Sequence, residues 1–210
     1  LNPVEMGMPD ADFVVKVLKS MPGYVEAFKA AFPGEEDPVT YENFGKAVGA
    51  FERKLMTPSN WDAFLKGDKS ALTDAEKKGF ETFAMSGCVT CHNGPAVGGM
   101  MYQKLGLVKP WPGLKDEGRF EATKQEADKH FFKVPSLRNI TETAPYLHDG
   151  SVKSLPEMVK LMAEHQVGKT LTDAEIESII TFLKSLKGQI PAEYVAKPQL
   201  PEATADTPKA

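Results

Sequence analysis

Cys88-Val89-Thr90-Cys91-His92 decides how this 210-residue chain is read. Both of its cysteines stand here, separated by two residues and followed directly by a histidine. Thiols at that spacing can each add across a vinyl group of haem, and the adjoining imidazole is then held beneath the iron as its proximal ligand. Other readings of the pair fit less well. A zinc site needs further ligands at regular spacing, and there is no second cysteine pair. A thioredoxin-like redox pair expects a preceding strand within a βαβ pattern, and the residues before Cys88 have helical periodicity instead. The expectation is one covalently bound haem c. Because c-type attachment takes place outside the cytoplasm, the expected compartment is a bacterial periplasm.

The flanking sequence supports a helical haem domain. Thr73-Asp74-Ala75-Glu76 recurs as Thr172-Asp173-Ala174-Glu175, and each is a capping box in which the threonine hydroxyl and the glutamate carboxylate satisfy free amides of a first helical turn. The first box opens a helix from Asp74 to Met85 that leads into the motif, with Phe80, Phe83 and Ala84 on one face and Gly79 where a partner backbone can come close. The second opens a helix from Asp173 to Leu186, whose Ile176, Ile179, Ile180, Leu183 and Leu186 form a buried stripe. Further helices are expected over Asp12–Lys19, Tyr41–Leu55 and Leu155–His165. The second of these carries Phe44, Ala47, Val48, Phe51 and Leu55 as its apolar face. The glycine- and proline-rich stretch from His92 to Lys133 reads as loop wrapped around the cofactor, and the proline-rich end, from Ile190 on, as extended or disordered.

Composition narrows the partners. Basic residues number 25 against 29 acidic, a formal charge of −4, which makes nucleic acid an unsuitable partner. No apolar run reaches the eighteen or so residues of a membrane span. Leu1 opens the sequence without a basic segment and apolar stretch, so no leader peptide is expected in it.

The second axial position decides the chemistry, since a thioether there raises the potential of a six-coordinate iron and suits it to electron transfer. Met100 and Met101 follow His92 too closely to pass round the porphyrin edge. Met158 and Met162 are far enough along and share a helical face, and spacing does not separate them. His130, His148 and His165 are the histidine competitors; His148, within Ala144-Pro145-Tyr146-Leu147-His148-Asp149-Gly150, is expected to be held in a defined place near the haem. Arg138 is a candidate partner for a haem propionate, to which a guanidinium can donate two parallel hydrogen bonds.

Several stretches together resemble the bacterial di-haem cytochrome c peroxidases: Leu1-Asn2-Pro3-Val4-Glu5-Met6, Cys88 to Gly94, Phe132-Lys133-Val134-Pro135-Ser136-Leu137-Arg138-Asn139, Ala144 to Gly150, and Met162-Ala163-Glu164-His165-Gln166-Val167-Gly168. They occur in the family's order from Leu1 to about Leu186. The resemblance implies an all-α fold: a cytochrome c-type electron-transfer haem domain over 57–188, the helical remainder of a second, peroxidatic cytochrome c-like domain over 1–56, and a tail over 189–210. The family has two Cys-x-x-Cys-His motifs and this sequence has one, so it resembles the later two thirds of such an enzyme. A chain of this extent is expected not to turn over peroxide efficiently by itself.

By the same resemblance, His92 and Met162 are the ligands of a high-potential haem that takes electrons from a small donor, a soluble cytochrome c or a cupredoxin, and passes them to a second haem where hydrogen peroxide is reduced. Glu5 matches the acidic group over the peroxidatic iron, where peroxide heterolysis needs a proton moved between oxygens. Thr143 and Pro145 match positions whose backbone carbonyls help bind calcium, a hard cation suited to oxygen ligands. A homodimer is compatible with the resemblance. Two other functions stay open at this stage. One is a stand-alone monohaem electron carrier, which leaves the helices before Asn60 without a core. The other is a related di-haem enzyme oxidising a protein substrate, a branch with tyrosine where this chain has Met162.

Overall fold

Two threonines start the helices on which the haem-domain fold is hung. The Glu76 amide donates to Thr73 Oγ1 at 3.2 Å while the Glu76 carboxylate takes the Thr73 amide at 2.8 Å, and Thr172 and Glu175 repeat the exchange at 3.3 and 2.8 Å. In the computed structural model of the chain, which describes residues 7–209, the helices opened by these boxes run over Asp74–Met85 and Asp173–Lys184. The chain divides into two compact units, Thr57–Ile190 and Leu1–Met56 with Pro191–Ala210.

Among the described residues the second stretch of chain, Leu1–Met56 with its returning tail, holds α1 (Ala11–Lys19), α2 (Pro22–Ala31) and α3 (Tyr41–Glu52). Asp10 and Thr40 cap α1 and α3 by accepting the amides of Phe13 and Asn43. Val14, Phe28 and Val39 are buried between these helices, and buried Asn43 is satisfied by Glu35 and the Pro38 carbonyl. The apolar face expected on α3 is only partly covered: Val48 and Phe51 are 39% and 47% exposed, Phe51 stacking on Tyr194. Pro22-Gly23 opens α2, with proline in the first turn where its missing N–H costs nothing.

The Thr57–Ile190 unit contains α4 (Asn60–Leu65), α5 (Asp74–Met85), α6 (Phe120–Thr123), α7 (Leu155–Leu161), a π-helical turn over Met162–Gln166, and α8 (Asp173–Lys184). The expected all-α class needs one correction. Tyr102–Lys104 (β1) and Phe131–Lys133 (β2) pair antiparallel inside the segment read as loop, so the fold is mainly helical with a small two-stranded sheet. Strands of three residues are too short to show a period of two. No helix among the described residues is long and apolar enough to cross a membrane.

The core of this unit forms where α5 crosses α8. Phe182 is fully buried and packs its ring 5.1, 5.2 and 5.3 Å from those of Trp61, Phe80 and Phe83, with Leu72, Ile179, Leu183 and Leu186 completing the cluster. Gly79 makes the crossing close: a Cβ there would overlap the Ser178 carbonyl and lie 2.9 Å from Phe182 Cβ. Gly79→Ala should therefore lower stability by about 1–3 kcal/mol through forced separation of the two helices. Denaturant unfolding checks this, the expected result being a lower midpoint with an unchanged slope.

Candidate haem site

α5 delivers the motif. Ser86 ends the helix, Gly87 reverses the chain at φ 95°, and Cys88–Thr90 form one 3₁₀ turn in which the amides of Cys91 and His92 donate to the Cys88 carbonyl at 3.2 and 2.9 Å. The turn brings Cys88, Cys91 and His92 to the wall of one cavity of about 550 Å³. This volume is in the range of small-molecule and cofactor pockets. The wall is mostly apolar: Phe83 from α5, Ile179 and Leu183 from α8, Leu137 and Ile140 from the connecting segment, and Leu155, Met158 and Val159 from α7.

The protein groups that covalent haem needs are all present on this wall. Both cysteines are free thiols, and burial pushes the Cys88 thiol up to about 11. Burial also lowers the pKa of His92, an effect partly offset by the carbonyls of Val97 and Pro135, so the imidazole is held neutral as a metal ligand requires. Its Nδ1 is enclosed without a fully formed hydrogen bond. The cradle behind it depends on Gly98, at φ 129°, where a Cβ would overlap the Pro135 carbonyl and sit 3.2 Å from His92 Nδ1. Pro135 and Gly98 are thus supports of the histidine that the motif itself does not reveal; in the sequence the Gly98-Gly99 pair marks only a turn. The donors and the cavity fit a covalently attached haem.

The other expected site residues are distributed as follows. Met162, Met158, Thr143, Pro145 and His148 all line this cavity, so geometry places both methionines in competition for the iron. Of the three rival histidines only His148 stands on the wall, with Nε2 2.7 Å from Asp116 Oδ2 and its ring stacked on Phe132. Glu5 lies outside the described residues. Arg138 requires a correction. Its guanidinium binds Asp62 in a two-point pair at 2.6 and 2.9 Å, and its remaining N–H groups donate to the carbonyls of Thr57 and Pro95. With every donor engaged and the residue absent from the cavity wall, Arg138 is a lock between α4 and the segment after the haem motif, and it has nothing left to offer a propionate. Asp62 stands 76 positions away in sequence, which is why the pair was not visible there.

Fold and cavity together define a c-type cytochrome domain, and residues 76–187 match the family model described as cytochrome c. Residues 1–70 match the model described as di-haem cytochrome c peroxidase. The chain belongs to the di-haem cytochrome c peroxidase family. The cytochrome c551 peroxidase of Nitrosomonas europaea is 43% identical over 210 residues, an alignment covering 99% of this chain and 61% of that protein. The enzyme of the same name from Pseudomonas aeruginosa is 43% identical over 215 residues, again with 99% of this chain and 61% of the relative covered. A crystal structure of a MauG-like protein associated with microbial copper homeostasis superposes with a TM-score of 0.69 at 26% identity, over 90% of this chain and 65% of that one. The chain thus spans about three fifths of the length of these peroxidases.

The Arg138–Asp62 lock has a measurable signature. Hydrogen bonds from Arg138 hold the Asp62 carboxyl well below the usual carboxylate range. A depressed native pKa means that the carboxylate contributes its full stabilisation above the unfolded value, about 4, and loses it as pH falls through the native one. Arg138→Ala should cost about 3 kcal/mol at neutral pH because it strands a part-buried carboxylate. The stability gap between Asp62→Asn and the parent should narrow as the pH of the unfolding experiment is lowered from 6 to 3.

Proposed function

We propose that this chain carries the electron-transfer haem of a peroxidase that reduces hydrogen peroxide to water. Cys88 and Cys91 would hold the haem through thioether bonds, and His92 and Met162 would ligate its iron. The observation that carries the reading is the convergence of those four residues on one apolar cavity in a chain that is 43% identical to named cytochrome c peroxidases. When bound, the haem supplies a one-electron couple, and thioether ligation in an apolar setting raises its potential.

The protein's own part is to exclude water from the couple, keep His92 neutral, and present a ligand that changes little between oxidation states. A small donor, a soluble cytochrome or a copper protein, would reduce this centre, which passes electrons singly to a second, peroxidatic haem. Peroxide consumes two electrons and two protons to give two waters. Glu5 is assigned the transfer of a proton from the oxygen nearest the peroxidatic iron to the departing one. The carbonyls of Thr143 and Pro145 are assigned to a calcium ion, and the bacterial periplasm is the compartment that c-type attachment and peroxide defence share. Met162, where the protein-oxidising branch has tyrosine, favours peroxidase over that alternative.

Met162→Ala should abolish the low-spin spectrum of a His/Met haem, including the thioether-to-iron band of the ferric state, while Met158→Leu leaves it in place. The reverse outcome would give the iron to Met158. In the complete two-haem protein, Glu5→Gln should reduce donor-dependent peroxide turnover by about a hundredfold or more without changing the His/Met spectrum.

A further inference from the structure

The helix that bears both candidate thioethers does not continue uniformly. α7 ends at Leu161, and from Met162 to Gln166 the backbone widens into a π-helix. Such turns are rare, carry an extra residue per turn, and are found mostly at functional sites. The Leu155–His165 helix read from sequence contains no sign of it.

This π-helix is gripped from outside by residues 104–111. Gln166 Nε2 donates to the Lys104 carbonyl at 2.8 Å, and Gln166 Oε1 accepts from the Gly106 amide at 3.1 Å. The His165 carbonyl accepts from the amides of Val108 and Lys109 at 3.0 and 3.1 Å. Lys109 Nζ lies 3.0 Å from Glu164 Oε1, and the buried Trp111 ring is 5.4 Å from that of His165. The gripping segment is itself anchored: Lys104 ends β1, and the Leu105 amide donates to the His130 carbonyl beside β2. Of these residues Leu105 and Gln166 line the cavity, and Met162 does so at the start of the widened turn.

We propose that the 104–111 segment is a clamp which keeps the π-helix wide and so fixes the Met162 sulfur toward the haem, with Gln166 as the principal positioning residue. The inference rests on Met162 being the second axial ligand. Its physical content is preorganisation. A widened turn gives up regular helical hydrogen bonding, and the clamp supplies replacement donors to the His165 carbonyl and two bonds to the Gln166 amide. Met158 lines the same cavity from α7 without such support, so the clamp also distinguishes between the two thioethers.

The test is imidazole titration of the ferric, haem-loaded chain, followed by its absorption spectrum. An internal thioether must leave before imidazole binds, so apparent affinity reports the fraction of sites already open. Gln166→Leu, which removes both amide bonds, should bind imidazole about tenfold more tightly than the parent. Gln166→Glu keeps an acceptor for the Gly106 amide and should fall between the two; if Gln166→Leu does not fold, this variant decides. Met162→Ala sets the upper limit of opening. Leu72→Ala, in the core but off the cavity wall, should lower the melting temperature without changing imidazole affinity. If the Gln166 variants lower melting temperature yet bind imidazole as the parent does, the clamp is structural only and the inference falls, leaving the Met162 assignment intact. If Met162→Ala itself does not increase the affinity, the ligand assignment falls and takes the inference with it.

Discussion

The approach of two helices at one glycine is the constraint from which the haem site follows. α5 and α8 can touch backbone to side chain only because Gly79 has no Cβ to meet Ser178 and Phe182. That contact sets Phe83 on one helix and Ile179 and Leu183 on the other along a common wall, and it fixes the direction in which α5 ends. The Cys88–His92 turn follows within three residues of Met85, so the orientation of the thiols and imidazole is inherited from the crossing. Phe182, with no exposed surface, is the centre of the aromatic cluster that makes the crossing rigid.

The cavity combines an apolar lining with a small number of held polar groups. Burial keeps His92 uncharged, the Gly98–Pro135 approach supports its ring, and His148 is fixed on the wall by Asp116 and Phe132. An apolar envelope disfavours the extra charge of the oxidised iron, and a thioether ligand acts in the same direction. Both features suit a centre that receives an electron readily and delivers it onward, and neither asks for an open coordination position in this part of the protein. In the function proposed above, peroxide chemistry falls to a second haem, with Glu5.

Much of this was legible in the chain, for reasons that differ by element. The capping boxes at Thr73 and Thr172 are local chemistry, and they located the starts of α5 and α8 to the residue. The five-residue motif carried the cofactor because its donors are adjacent in sequence. What escaped depends on distance or on short elements. Arg138 was read as a propionate partner because its actual partner, Asp62, belongs to a separate helix. The β1–β2 pair is too brief for periodicity, and the π-turn after Leu161 depends on contacts from residues 104–111 some sixty positions earlier. Met158 and Met162 are one helical turn apart in sequence and on one wall in space, so neither level alone separates them.

The central claim is that Cys88, Cys91 and His92 hold one haem covalently in the cavity beside the α5–α8 crossing. Intact mass of the denatured chain, matured in a host that attaches c-type haem, addresses it most directly. The account predicts the mass of the polypeptide plus one haem, retained through acidified-acetone extraction and lost when both cysteines are replaced by serine. A polypeptide of haem-free mass, or a haem that acidified acetone removes, would contradict it.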